Sequence, residues 1–396
     1  MDRAPQTEGR IARIRRRAVK AVRRLFDLTF DPRLSRSYWP EEPRKSKGRI
    51  FLQLLWWFVR YGEINAYYYV YGLDLKFAAR AREVLPYPVF RRIRNQRNLM
   101  PDQPFNYVCL LRDKWLFSQL AASVGVAAPK AFALLDARGV LWFDSDRTAP
   151  LDSLQAAEAP ALDGFCKKLA GIQGEGAFSL RTDRGRLFMN GVEASLERLR
   201  ARLDDSYLFQ ERIEQHSMLR ALHPASLNTL RLITFCQDGE AVLFCAALRV
   251  GAGGKPVDNW AAGGLIVGVD TEQGRLRGEG YFKPGYGGRT SVHPDSGVRF
   301  EGFEIPYFRE AVDLVLRMHR RLSTIHSVGW DVGVAPDGPV LIEGNDDWEG
   351  GIPMVLEKDF RRRFLAMYAP RGDAGVCSNG VTASEARLRP GRHAIP

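Results

Sequence analysis

The stretch from Trp330 to Trp348, WDVGVAPDGPVLIEGNDDW, constrains this chain more than any other. Two short apolar runs flank Pro336-Asp337-Gly338-Pro339. Proline presets φ, while Asp and Gly accept a tight reversal, so this composition between apolar runs specifies a hairpin. Closing it brings Asp331 level with Glu343 to Asn345. Glu343 and Asn345 are two apart and leave the same face of a strand. Two carboxylates and an amide oxygen at one spot form a hard donor set that suits Mg²⁺. Asp346, Asp347 and Glu349 add charge that repels itself unless a cation is present. The plain alternative is a solvated acidic hairpin end.

A chain of 396 residues buries at least one large core and is long enough for two or three subdomains. Its five cysteines (Cys109, Cys166, Cys236, Cys245 and Cys377) are scattered and lack CxxC spacing. That argues against a disulfide framework or a structural zinc site and fits a reducing cytosolic compartment.

The net charge of +12 is unevenly placed. RIARIRRRAVKAVRRLFDLTF is densely basic with apolar residues interspersed, the composition of a basic amphipathic helix. Such helices lie on anionic membrane surfaces or bind acidic partners; the alternative is a solvated or disordered tail. Nucleic acid is not expected, because the chain lacks finger spacing, an aromatic RNA-binding signature and a DNA-reading motif. The basic start is not followed by the apolar run of a signal peptide. IFLQLLWWFV (50–59) is too short to span a bilayer. Trp56, Trp57, Tyr61 and the run Tyr67-Tyr68-Tyr69 suit a membrane interface, although the buried face of a helix is the commoner use of such a stripe.

Along the chain, residues 1–48 read as a basic arm and 49–110 as a helical, aromatic-rich region. Residues 111–215 carry a helix and then short strands resembling a lid, and 216–370 form a strand-rich core that includes the hairpin. Residues 371–396 read as a disordered tail. Within the core, LNTLRLITFCQDGEAVLFCAALRVG is a hairpin around Gln237 to Glu240, and 305–328 is a helix with a stripe at Val312, Val315, Leu316, His319 and Leu322.

Four upstream features carry chemistry. Lys167 precedes a glycine-rich turn containing Gly171, Gly174 and Gly176, where backbone N–H groups and an ammonium can meet phosphate. Asp113-Lys114 opens a helix, and Lys114 is either a phosphate ligand or a surface charge. YLFQERI (207–213) can present backbone groups to an adenine edge. Finally, Arg231 lies inside the apolar run LRLITF, where a charge is costly unless paired, and Arg249 sits on the partner strand. Two such arginines can stabilise developing negative charge.

In this order the features resemble the ATP-grasp superfamily, and more narrowly the sugar-transfer-associated ATP-grasp family linked to polysaccharide biosynthesis. The matching stretches are DKWLFSQLAASVGVAAPK, FCKKLAGIQGEGAFSL, YLFQERIEQH, HPASLNTLRLITF, VDNWAAGGLIVGVD and GWDVGVAPDGPVLIEGNDDW, within about residues 105–365. The resemblance implies an α/β fold with a small lid, a mixed-sheet core and a helical basic N-terminal region. It implies that Lys114, Lys167, Gly174 and Gly176 hold ATP phosphates, and that Gln210, Glu211 and Ile213 line the adenine. Glu214 and His216 are the two candidates for the ribose contact. Arg231 and Arg249 would be catalytic. Asn228, Thr229, Asn259, Gly263 and Gly264 would bind substrate, and Asp331, Glu343 and Asn345 would bind Mg²⁺. One departure is Lys168, where the family usually has proline.

The activity implied is that of a carboxylate–amine ligase working through an acylphosphate. It would join the carboxylate of a sugar or nucleotide sugar to an amine in the cytoplasm, either free or peripheral at the inner membrane face. A phosphotransferase using Asp346 or Asp347 as base is one alternative. A non-catalytic ATP-binding partner of a glycan-assembly complex is the other.

Overall fold

The computed structural model describes residues 10–77, 79–100, 105–156, 161–171 and 176–369. Gly174 and the 371–396 tail lie outside them. The chain opens with helices α1 (Arg10–Phe30), α2 (Lys47–Tyr61) and α3 (Tyr87–Asn98), and short α4 (Cys109–Arg112) leads into α5 (Lys114–Val124). Asp113 caps α5 by accepting from the N–H groups of Trp115 and Leu116, and Gly125 ends it in the left-handed region. The cap fixes Lys114 as the first helical residue.

The first sheet contains β1 (Ala131–Leu135), β2 (Gly139–Trp142), β3 (Arg147–Pro150), β4 (Leu162–Lys168), β5 (Phe178–Asp183), β6 (Arg186–Met189), β7 (Val192–Ala194) and β8 (Tyr207–Glu211). Helix α6 (Leu196–Arg202) lies between β7 and β8 in sequence. The spatial order is β3-β2-β1-β8-β4-β5-β6-β7. After α7 (Ser217–Leu222) the second sheet is built from β9 (Thr229–Gln237), β10 (Glu240–Val250), β11 (Leu265–Asp270), β12 (Arg275–Phe282), β13 (Arg289–Thr290), β14 (Ser327–Ala335) and β15 (Gly338–Asn345). Helix α8 (Phe308–Arg321) precedes β14, and α9 (Gly351–Leu356) and α10 (Phe360–Tyr368) close the described chain. The order is β13-β12-β11-β10-β9-β14-β15.

The α/β class is as expected. The core sheet, expected to be mixed, is antiparallel at every described pairing, as is the lid sheet. Tight reversals favour that arrangement. At β9–β10, Gln237 pairs with Glu240 across Asp238 (φ 55°) and Gly239 (φ 82°), and the positive φ values match the twist of a hairpin.

One face of the second sheet carries Leu230, Leu232, Leu248, Trp330, Val332 and Val334, buried against α5, α7 and α8. The α8 stripe runs through Ala311, Leu314, Val315, Met318 and His319, with Val312 and Leu316 at its margin. The opposite face is divided. Ile233, Phe235, Cys245 and Ala247 pack under the N-terminal region together with α9 and α10. Leu25 and Leu28 of α1 belong to that core, and Tyr38 donates to the carbonyl of Phe282. The stretch expected as a free basic arm is therefore docked from Leu25 onward. The tyrosine run is buried at Tyr68 and Tyr69, whereas Trp56 is exposed.

Candidate active site

Beyond Ile233 and Ala247, the covered face turns from apolar to charged. Four neighbouring strands contribute there. Arg249 lies on β10, opposite Thr229 on β9; Arg231 is two residues further along β9 and pairs with Asp331 on β14; Asp331 pairs with Glu343 on β15. Strand alternation sends their apolar neighbours Leu230, Leu232, Leu248 and Val332 to the core and this row into the cleft. The predicted convergence of Asp331 with Glu343 and Asn345 is present: Gly329 pairs with Asn345, whose amide donates to Glu343 Oε1 and to the Gly329 carbonyl, both at 3.3 Å.

A bulge interrupts the hairpin, because Asp331 pairs with Glu343 but Val332 pairs with Leu341. The extra residue, Ile342, lies on the cleft side. A Cβ placed on Gly333 would touch Ile342, Ile213 and Leu227 at 3.4–3.5 Å. Ile213, expected beside adenine, is thus part of an apolar patch next to the charged row. Leu227 and Ile342 escaped the sequence reading because nothing separates them from core aliphatics.

Asp331 is 3% exposed. Its Oδ2 accepts from Arg249 at 2.8 Å, and its Oδ1 lies 2.6 Å from Arg231 Nε. The second contact is close without being aligned, so Arg231 Nε and Asp331 Oδ1 lack a hydrogen bond. Burial raises the Asp331 carboxyl pKa, but Arg231 and Arg249 outweigh it and hold the group below its ordinary value. Glu343 goes the other way. Burial and then the negative charge of Asp331 push its pKa up, against the pull of Lys167. Burial opposes the charge on Arg249, yet Asp258 and Asp331 keep its pKa raised.

The lid brings both predicted lysines here. Lys114 Nζ donates to the Gly171 carbonyl at 2.6 Å, and its backbone N–H donates to Leu169 O just past β4. Lys167 is half-buried, with Glu343, Lys114 and Asp331 as its charged neighbours. Burial lowers the pKa of both ammonium groups, and Glu343 opposes the shift in each. Lys168, one residue on, points the other way and pairs with Asp204 at 2.8 Å. Gly176 goes with Lys168: a Cβ there would meet Lys168 Cε at 2.8 Å, and its carbonyl accepts from Arg202.

The segment 211–216 joins lid to core. Gln210 is buried on β8, Glu211 N–H donates to Lys130 O, and His216 N–H donates to Val334 O at 2.8 Å. Of the two ribose candidates, Glu214 is paired with Arg220 at 3.1 Å. His216 borders an open cleft with Glu214, Arg220 and Pro336.

Other residues stand differently from expectation. Asn228 is fully buried: its amide donates to Leu219 O and His223 O, while its oxygen accepts from Ser226 Oγ and Gly251 N–H. All its hydrogen-bonding capacity is spent on holding the chain, so it does not face substrate. Thr229 donates to Asp258 Oδ2 at 2.5 Å and accepts from Arg249. Asn259 caps a short helical turn through Ala261 N–H. Gly263 takes φ 101°, and a Cβ on Gly264 would strike Asp258 O at 2.5 Å. These three shape the loop that carries Asp258, a residue missed at the sequence level. Asp258 lies 3.5 Å from Arg249.

The acidic run after the hairpin is not a free cation cluster. Arg112 grips Asp346 through two hydrogen bonds of 2.9 and 2.7 Å. The buried guanidinium of Arg94 contacts Asp347 and Trp348 O, and the Tyr67 hydroxyl donates to Glu349. Upstream side chains thus neutralise or engage the charges expected to need a metal, among them Asp346 and Asp347, the candidate bases of the phosphotransferase reading. Among the described residues there is no group of three or more His, Cys, Asp or Glu arranged for a metal. The donor set Asp331, Glu343 and Asn345 fits a hard cation on other grounds: Asp331 Oδ1 has no aligned donor, and Glu343 is crowded by a like charge.

No curated protein matches the chain. Solved structures that resemble it include N5-carboxyaminoimidazole synthetase from Staphylococcus aureus complexed with ADP, at 11% identity and TM-score 0.39, covering 69% of this chain and 57% of that one. An L-amino acid ligase from Bacillus licheniformis aligns at 11% identity and TM-score 0.35, covering 63% and 44%. The chain spans about half the length of the solved structures it matches. A family model matches residues 94–366, from α3 through both sheets to α10, and on that match the protein belongs to the sugar-transfer associated ATP-grasp family.

Proposed function

We propose that the protein is an ATP-dependent carboxylate–amine ligase. The observation that carries this reading is the meeting of two half-buried lysines, Lys114 and Lys167, with two paired arginines and the Asp331–Glu343 rung. Four cations around three carboxylates, Asp331, Glu343 and Asp258, leave room for further negative charge, which a nucleotide and an acid substrate would supply. Lys114 and Lys167 would hold the ATP phosphates. Asp331, Glu343 and Asn345 would hold Mg²⁺, which would neutralise charge on the phosphates.

A substrate carboxylate oxygen attacks the γ-phosphorus, the bond to ADP breaks, and an acylphosphate forms. An amine then attacks the acyl carbon, and phosphate leaves with the C–O electrons. Arg231 and Arg249, fixed by Asp331, face the oxyanion that develops on the acyl group. Closing the lid over the lysines would exclude water from the acylphosphate. The family's link to sugar transfer supports a sugar or uronic acid as carboxylate donor and an amino acid or amino sugar as amine; fold membership alone does not choose between them.

Hydroxylamine trapping tests this. The protein is incubated with Mg-ATP, hydroxylamine and a panel of uronate-containing sugars and nucleotide sugars. A hydroxamate accompanied by ADP is expected. A stable phosphorylated sugar with ADP and no hydroxamate would make the protein a kinase instead.

A further inference from the structure

We propose that the outer face of α1 and α2 docks onto an anionic lipid bilayer. This inference is independent of the ligase reading. On α1, Val19, Val22, Phe26 and Phe30 fall at helical spacing on one side, while Leu25 and Leu28 occupy the buried side. On α2, Leu52, Trp56 and Val59 form a second outward stripe beside buried Ile50 and Leu54. These seven side chains range from 45% exposed at Phe30 to 76% at Val59. The Phe26 ring lies 5.4 Å from that of Phe51, which joins the two stripes along the crossing of the helices. Isolated exposed apolar residues need no explanation, but a contiguous apolar face does.

Charge selects the occupant. The α1 sequence holds eight Arg or Lys residues against the single acid Asp27, and α2 holds Lys47, Arg49 and Arg60 with no acid. A neutral protein groove would gain nothing from that excess. A nucleic acid backbone would gain nothing from the aliphatic stripe. An anionic membrane surface uses both, with apolar side chains sunk to the headgroup–acyl boundary and basic ones at the phosphates. Trp56 suits that depth. No described helix is long and apolar enough to cross a membrane, so the pair would lie in the interface plane. From α2 the chain runs on to Tyr67, which stacks on Trp260 at 5.5 Å and reaches Glu349. The docked face is thereby tied to the short turn that follows Asp258 and Asn259.

Flotation of the full chain with two kinds of vesicle decides the matter, one of pure phosphatidylcholine and one of phosphatidylcholine mixed with phosphatidylglycerol. Binding to the mixed vesicles alone, weakened by salt, is expected. A triple variant, Val22→Glu, Trp56→Glu and Val59→Glu, should bind at least about tenfold more weakly with an unchanged melting midpoint, because these side chains contribute to no core. A second variant, Lys20→Gln, Arg23→Gln and Arg24→Gln, should lose the preference for anionic lipid. Absence of vesicle binding, equal binding to both compositions, or equal binding by the triple variant would overturn the proposal. So would self-association abolished by the same three glutamates, which would assign the face to a second copy.

Discussion

Replacing Asp331 by Asn and Glu343 by Gln should separate two kinds of carboxylate on one rung of the hairpin. Asp331 faces Arg231 and Arg249 at 2.6 and 2.8 Å and is almost fully buried. Asparagine keeps its shape and removes its charge, leaving two guanidinium groups without their anion. Breaking a buried pair in this way costs about 3–5 kcal/mol. Arg249 keeps Asp258 and Thr229, so the lower figure applies. At about 2–4 °C per kcal/mol for a cooperative unit of this core's size, Asp331→Asn should melt roughly 6–12 °C lower. Glu343→Gln removes a charge that burial and Asp331 both disfavour, so the ligand-free protein should melt at or above the parent midpoint. Both variants should lose magnesium-dependent ATP turnover. Scanning calorimetry in chelator near neutral pH, followed by ADP-release assays, measures both effects. If Glu343→Gln melts as low as Asp331→Asn, or if Asp331→Asn melts unchanged, the division of roles is wrong.

Three further outcomes are expected. His319 accepts from Thr234 Oγ1 and donates to Ile325 O, and burial lowers its pKa to about 4. The stability tied to neutral His319 is complete above its unfolded value of 6.5 and is lost as pH falls towards 4, about 3 kcal/mol in all. Denaturant midpoints across that window should slope in the parent and flatten in His319→Gln; identical slopes would refute the assignment. Asn228→Ala strands the Gly251 N–H and two carbonyls and should cost about 2–3 kcal/mol with little change in substrate KM. A large KM change at an unchanged unfolding midpoint would return Asn228 to the substrate wall. Asp346→Asn should keep ATP turnover within about threefold, whereas a loss of about a hundredfold or more would reinstate it as a general base.

Residues whose roles follow from short-range spacing were legible in the sequence. The Pro336–Pro339 reversal, the level pairing of Asp331 with Glu343, the Asp113 cap that positions Lys114, and the cost of an unpaired Arg231 all follow from neighbours within a few positions. Long-range partners were not. Arg94 sits in a basic run that looks like a solvated helix face and Arg112 stands next to the helix-opening Asp113, and only the folded chain brings them to Asp347 and Asp346. Asn228 failed for a related reason: a polar residue beside catalytic strands looks the same in sequence whether its amide faces a ligand or four backbone and side-chain partners. The α2 stripe divided, with Leu54 buried and Trp56 exposed, because helical periodicity gives two apolar directions without saying which one the fold covers.

A regular strand delivers every second side chain to a given face. The bulge at Ile342 makes β15 deliver two in succession, one aliphatic and one anionic, while Leu341 stays in the core. A flat, uncharged ring and a charged phosphate chain would need such different surfaces side by side, and a single inserted residue is enough to supply both. Position 342 therefore answers a change of length differently from the rest of the strand. Deleting Ile342 would restore plain alternation, with Leu341 still in the core and Glu343 still in the cleft, so only the aliphatic wall would be lost. Adding or removing a residue elsewhere in β15 would turn the side chains on one side of the change to the opposite face. A survey of insertions and deletions along β15 should find the carboxylate row most tolerant at this one position.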